Sequence, residues 1–591
     1  MNHADLPAIQ YTVWPADLHG HHFRIKLHIT NPDPNGQVLQ MPAWIPGSYL
    51  IRDFSKQIES IEAYSIAGTR KKINLERIDN DHWRLPPVKG AIEVLTTVYA
   101  FDSSVRAAYL DTERAFFNAT SLCLAVRGQE HLPCWLAITA PELAFADHWT
   151  VQTTLRVAKT DERGFGFYLA ENYDDLLDHP VAIGEFQIVH WKSNGVAHRM
   201  AIQGCNHVID TKRLSEDLQA ICTSTINLFE PKSKQAPFGE YLFLVNTVLN
   251  GYGGLEHRNS TALLCRRDQI PQENIFFEES AYREFLGLCS HEYFHAWLVK
   301  RIQPKAFQPY DLSKRNHTRL LWVFEGFTSY YDDLALLRSK RIDLKTYLRL
   351  VADNWNGILR GPGRHKQSLA DSSFDAWTKY YQADENTPNA VVSYYGKGAL
   401  LALGLDLQIR AFSKNKLSLD DLMRLLWRKH GEEGIAEDGL DDLIFELLGK
   451  GFSKTWAEIK ARYIFGLEDI PLEKWIESRL ISVKAISLST LKKIKLQFGM
   501  RHTDANGWLK VTHVLDGGLA QAAGLAAGDL LASIDGQRIT SARWDRVLAS
   551  LSENAHIRIT FYRDDLEYER MVSLKSVQVP EQYELTPKKD A

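Results

Sequence analysis

The chain has 591 residues, 45% hydrophobic and 24% charged, with a formal net charge of −4. That length exceeds a single hydrophobic core and calls for roughly three or four domains of ordinary globular composition. The charge leaves no basic footprint, so no nucleic-acid partner is expected. Six cysteines, Cys123, Cys134, Cys205, Cys222, Cys265 and Cys289, have no paired spacing. They fit a reducing compartment, and no C-x-x-C pair competes for a metal. The segment Met1–Leu6 lacks the basic and apolar regions of a signal peptide. No apolar run reaches transmembrane length. The expectation is a cytoplasmic protein with no membrane contact.

Residues 1–177 read as an N-terminal β-rich domain. Phe23 to Ile29 alternates apolar and polar residues as a half-buried strand does, and Ile92 to Tyr99 is a second strand. The loop Pro42-Ala43-Trp44-Ile45-Pro46-Gly47-Ser48-Tyr49 has two readings, a rigid turn with aromatic packing or a border of the catalytic cleft. Residues 178–485 form the next domain, mainly helical after 326. Lys212 to Phe229 has helical spacing, and Tyr241 to Val245 is a buried strand. The stretch Gly251-Tyr252-Gly253-Gly254-Leu255-Glu256 follows it. Gly253 and Gly254, having no Cβ, let a peptide backbone pair closely with a sheet edge.

The centre of the chain is Cys289-Ser290-His291-Glu292-Tyr293-Phe294-His295. Residues four apart share one face of a helix, so His291 and His295 can offer two imidazoles to one Zn²⁺. Glu292 is then placed to take a proton from a water on that metal. A metzincin pattern would require Gly at 298 and His at 301, but the chain has Leu298 and Arg301. His317 lies in a polar run that reads as loop. Glu325 stands among Trp322, Val323, Phe324 and Phe327, where a carboxylate needs a partner or a metal, and is the expected third ligand. Asp332, seven positions further on, falls on the same helical face if the helix continues, and reads either as a group that orients a ligand or as a surface carboxylate. Residues 361–388 interrupt the helices and carry Phe374, Trp377, Tyr380 and Tyr381, enough aromatic surface for a small pocket.

Residues 486–577 resemble a bacterial PDZ domain, on the segments Val514 to Leu525 and Gly528 to Gly536. Leu496 to Met500 reads as a strand there, and Phe498, Gly499 and Met500 as its peptide groove. Such a groove takes a peptide C-terminus by strand addition. Residues 578–591 read as a polar tail.

Trp322-Val323-Phe324-Glu325-Gly326-Phe327 resembles the third-ligand segment of the gluzincin aminopeptidases. Tyr252-Gly253-Gly254-Leu255-Glu256-His257 is similar to their exopeptidase motif, with His257 where others have Asn. Tyr394-Tyr395-Gly396-Lys397 is similar to the segment of their catalytic tyrosine. With Trp44-Ile45-Pro46-Gly47-Ser48-Tyr49 and the PDZ-like segment, the whole resembles the glycyl aminopeptidase family of PDZ-containing gluzincins. The resemblance implies a multidomain α+β fold: a β-domain, a thermolysin-like catalytic domain with a helical part, and a PDZ domain. It implies one Zn²⁺ per chain and removal of an N-terminal Gly or Ala from peptides with a free amino terminus. It also implies that Glu256 grips the amine and that Tyr395, two residues before Lys397, assists the oxyanion, with Tyr394 as its rival. Two other readings stand beside it: an endopeptidase fed by its PDZ domain, and a PDZ adaptor on an idle scaffold.

Overall fold

The computed structural model describes residues 7–66, 68–273, 278–477, 481–552 and 554–588. The expected signal-free start, Met1–Leu6, and the last three residues of the expected tail lie outside them. The chain forms two compact units. One comprises residues 1–316, 331–341 and 423–439; the other comprises 317–330, 342–422 and 440–591. The segment 178–485, expected as one domain, is thus shared between them.

The first unit begins with an eight-stranded sheet. Its order is Arg156–Thr160, Gly166–Ala170, Cys134–Ile138, Ile9–Asp17, His22–Ile29, Ile92–Tyr99, Ile58–Ser65 and Lys71–Ile73. The period-two pattern is realised: Phe23, Ile25, Leu27 and Ile29 are buried while Arg24 is exposed. The β-region runs beyond 177, because Val181–Gly184 pairs with Arg114–Phe117. Its core continues through Leu242, Leu244, Leu255 and Ala262 into a second sheet. That five-stranded sheet has the order Gln187–Ser193, Val196–Gln203, Glu240–Val248, Ser260–Arg266 and Gly253–Glu256. The helix Glu279–Phe294 packs on its last two strands.

The second unit holds the helices Leu344–Arg360 and Gly396–Phe412 and the C-terminal β-domain. The interval 361–388 is less irregular than its composition suggests, with short helical turns at Pro362–His365, Leu369–Phe374 and Ala376–Tyr380.

In the C-terminal domain the strands follow the order Met500–Ala505, Trp508–Val514, Leu530–Ile534, His556–Arg563 and Leu566–Ser573. The segment before Met500 differs from expectation. Thr490–Phe498 is a helix, capped by the Ser489 side chain accepting from the Lys492 N–H and ended by Gly499 at φ 57°. Local capping outweighs the apparent alternation of Leu496, Phe498 and Met500. Phe498, expected in the groove, is instead fully buried in the domain core and packs edge-on to Trp544.

The expected tail is also ordered in part. Tyr583–Pro587 pairs antiparallel with Ile481–Ala485. Tyr583 stacks on Trp355 at 4.3 Å, and its backbone exchanges two 2.8 Å hydrogen bonds with Asn356. A segment of this length pays its ordering entropy through that aromatic burial and strand pairing.

Candidate active site

The helix Glu279–Phe294 carries the two histidines on its last turn, with His295 as its C-cap residue. Each imidazole is held through Nδ1. His291 Nδ1 donates to Asp332 Oδ2 at 2.9 Å, and His295 Nδ1 donates to the Leu298 carbonyl at 2.9 Å. These bonds fix the Nδ1-protonated tautomer of both rings, which makes Nε2 the nitrogen each ring would turn to a metal. The second bond depends on a strained turn: Val299 adopts φ 90°, and its N–H donates to the Ile302 carbonyl at 2.9 Å. A β-branched residue in that region is a true outlier and is kept only where its surroundings impose it.

Glu325 is buried and follows the short helix Leu321–Phe324, with its own N–H donating to the Leu321 carbonyl at 2.7 Å. Ligand atoms of His291, His295 and Glu325 lie within 4.8 Å of one another. His317, set aside from the sequence, donates to the Phe374 carbonyl and stacks on that ring instead.

A second group shares His295. Ligand atoms of Glu256, Glu292 and His295 also fall within 4.8 Å of one another, all buried. A Cβ on Gly254 would overlap the Glu292 carboxylate, so a side chain there would displace Glu292. The loop read two ways from sequence reaches the same point. Trp44 is buried, with its Nε1 donating to the Asp311 carbonyl at 2.9 Å, and a Cβ on Gly47 would stand 2.6 Å from Glu256 Oε1. The loop is packed, and it borders Glu256.

Behind Glu256 lies a buried charge network. Lys300 Nζ sits 2.6 Å from Asp178 Oδ1, and the Arg258 N–H donates to Asp178 Oδ2 at 2.8 Å. Burial works to raise the Asp178 carboxyl, but Lys300 and Arg258 outweigh it and hold it well below the usual range. Burial lowers the neighbouring His257, opposed by Asp178, so this ring favours its neutral form.

The two tyrosines have different surroundings. Tyr394 is fully buried, and burial pushes its phenol well above the ordinary value, with Tyr381 and Glu325 adding to the rise. Tyr395 is half-buried, and its hydroxyl shares a 3.3 Å hydrogen bond with that of Tyr381. Of the aromatic interval, Tyr380 and Tyr381 therefore gather at Tyr395, whereas Trp377 is buried in the core and Phe374 packs on His317.

The residues fit a zinc ion. Two imidazoles with Nδ1 engaged and one buried carboxylate are the donor set of an open hydrolytic site. A convergence of buried carboxylates also calls for a cation. Fold and donor set together are those of a zinc metallopeptidase. Residues 10–185 match the Peptidase M61 N-terminal domain, residues 284–401 match M61 glycyl aminopeptidase, and residues 489–560 match a PDZ domain. An aminopeptidase N family protein from Idiomarina loihiensis, solved by crystallography, is 39% identical over 98% of both chains, with a TM-score of 0.91. The chain belongs to the M61 glycyl aminopeptidase family and is a zinc aminopeptidase. An M1 zinc metallopeptidase from Deinococcus radiodurans is similar over 79% of this chain and 95% of its own, at 11% identity and a TM-score of 0.47. Yeast LTA4 hydrolase is similar over 80% and 68%, at 12% and 0.44. No curated protein matches the sequence. Among the described residues, no helix is long and apolar enough to cross a membrane.

Two contacts here join residues far apart in the chain and carry no local sequence signal: Gly47 with Glu256, and Arg106, which donates to the Gly254 carbonyl at 3.1 Å.

Proposed function

We propose that the protein removes a single N-terminal residue, Gly or Ala, from peptides with a free amino terminus. One zinc ion per chain would be held by His291, His295 and Glu325. The observation that carries this reading is that His295 belongs to two close groups, one with His291 and Glu325 and one with Glu292 and Glu256. When bound, zinc supplies Lewis acidity, bringing the pKa of a water towards neutrality and polarising a carbonyl. Glu292 accepts the water's proton at its carboxylate and passes it to the leaving amine. The Tyr395 hydroxyl donates to the carbonyl oxygen as negative charge develops there. Asp332 keeps His291 oriented through Nδ1. Glu256 accepts from the substrate ammonium and fixes the scissile bond one residue away. Tyr380 and Tyr381 beside Tyr395 support a short pocket for the first side chain. The PDZ strand Met500–Ala505 is a sheet edge, which supports binding of a peptide C-terminus there.

Glu256→Gln tests the amine clamp. It is expected to lower kcat/KM on alanyl substrates by about 10- to 100-fold, the worth of a charged hydrogen bond, with zinc content unchanged. Comparable hydrolysis of free and N-acetylated substrates by the wild type would overturn the clamp.

A further inference from the structure

The strand Gly253–Glu256 is the outer edge of the five-stranded sheet, paired on one side with Ser260–Arg266. An open edge offers its free backbone groups to an incoming peptide. One of these groups is already engaged. Arg106, from the N-terminal β-region, donates through Nη2 to the Gly254 carbonyl at 3.1 Å. Its guanidinium lies over Gly253, where a Cβ would stand 3.5 Å from Nη1 and 3.7 Å from Nη2. Arg106 is half-buried, and its Nε is buried without a hydrogen-bond partner. Among the described residues no carboxylate pairs with it. A guanidinium taken partly out of water, with most of its donors unused, suits a planar anion.

The order along the edge gives that anion an identity. Glu256 stands at one end, the Glu292 carboxylate lies against Gly254, and Arg106 covers Gly253. Three strand residues span about 10 Å, and an extended dipeptide about 7 Å from amine to carboxylate carbon. Side-chain contacts at both ends make up the difference. With the ammonium at Glu256 and the scissile bond at Glu292, the carboxylate of the second residue falls at Arg106.

We infer that Arg106 receives the C-terminal carboxylate of a dipeptide, which makes dipeptides with a small first residue the preferred substrates. This rests on the aminopeptidase reading of the same site. The test compares kcat/KM for Ala-Ala and for its C-terminal amide with the full-length zinc enzyme, by release of free alanine counted as two per bond cleaved in the acid and one per bond cleaved in the amide. The wild type is expected to favour the free acid by about tenfold or more, as a charged hydrogen bond provides. In Arg106→Gln that ratio is expected to fall to within about twofold, and Arg106→Lys is expected to retain part of it. Zinc content and thermal midpoint are checked for each variant. A wild-type ratio near one would overturn the inference by itself, even if Arg106→Gln did not fold. So would an unchanged ratio in folded Arg106→Gln. Failure of the wild type to cleave either form would instead overturn the aminopeptidase reading, and this inference with it.

Discussion

Glu292→Gln is expected to lower kcat by about 100- to 10,000-fold, the range of a lost general base. Zinc content should stay at the wild-type level. The substitution keeps the shape of a side chain lying against Gly254 and removes only its ability to accept a proton. The ligand histidines would be untouched, because each is oriented by another group, Asp332 for His291 and the Leu298 carbonyl for His295. Metal analysis and turnover of an alanyl reporter on the same preparation separate the two effects. Activity within a few-fold of wild type would remove Glu292 from the chemistry. Loss of zinc would make it a structural member of the site.

Tyr395→Phe is expected to lower kcat by about 100- to 1,000-fold, as removal of one oxyanion donor does, with little change in KM or zinc content. Phenylalanine keeps the ring against Tyr380 and Tyr394 and loses the hydroxyl, with its hydrogen bond to Tyr381. Tyr394→Phe serves as the control. Its ring is fully buried whereas that of Tyr395 is half-buried, and a small rate effect is expected. Steady-state kinetics of the two variants decide between them. A reversed pattern would move the donor role to Tyr394.

Legibility in the sequence followed the range of the interaction. His291, Glu292 and His295 were readable because a helical face is a local property, set by spacing alone. Glu325 was readable through the burial of its neighbours, and Asp332 through its helical offset from Glu325; its bond to His291 agrees with that offset. The glycines at 253 and 254 pointed to close approach, and the group approaching Gly254 is Glu292. The end of the helix Thr490–Phe498 reads as a strand in sequence because Leu496, Phe498 and Met500 mimic strand alternation. Ser489 and Gly499, its two caps, were the better signal. Tyr583–Pro587 was invisible as a strand because its partner, Ile481–Ala485, lies far away in sequence and the pattern is too short to carry a period. Arg106 is of the same kind. It reaches Gly254 across 148 positions, and nothing between Phe101 and Leu110 marks it.

The most direct measurement is hydrolysis of Gly, Ala, Leu and Arg reporters with free and acetylated N-termini. Each would be assayed as prepared, after chelation and after zinc repletion. The account predicts turnover of the free Gly and Ala reporters alone, lost on chelation and restored by zinc. Equal cleavage of acetylated reporters, or turnover indifferent to chelation, would contradict it.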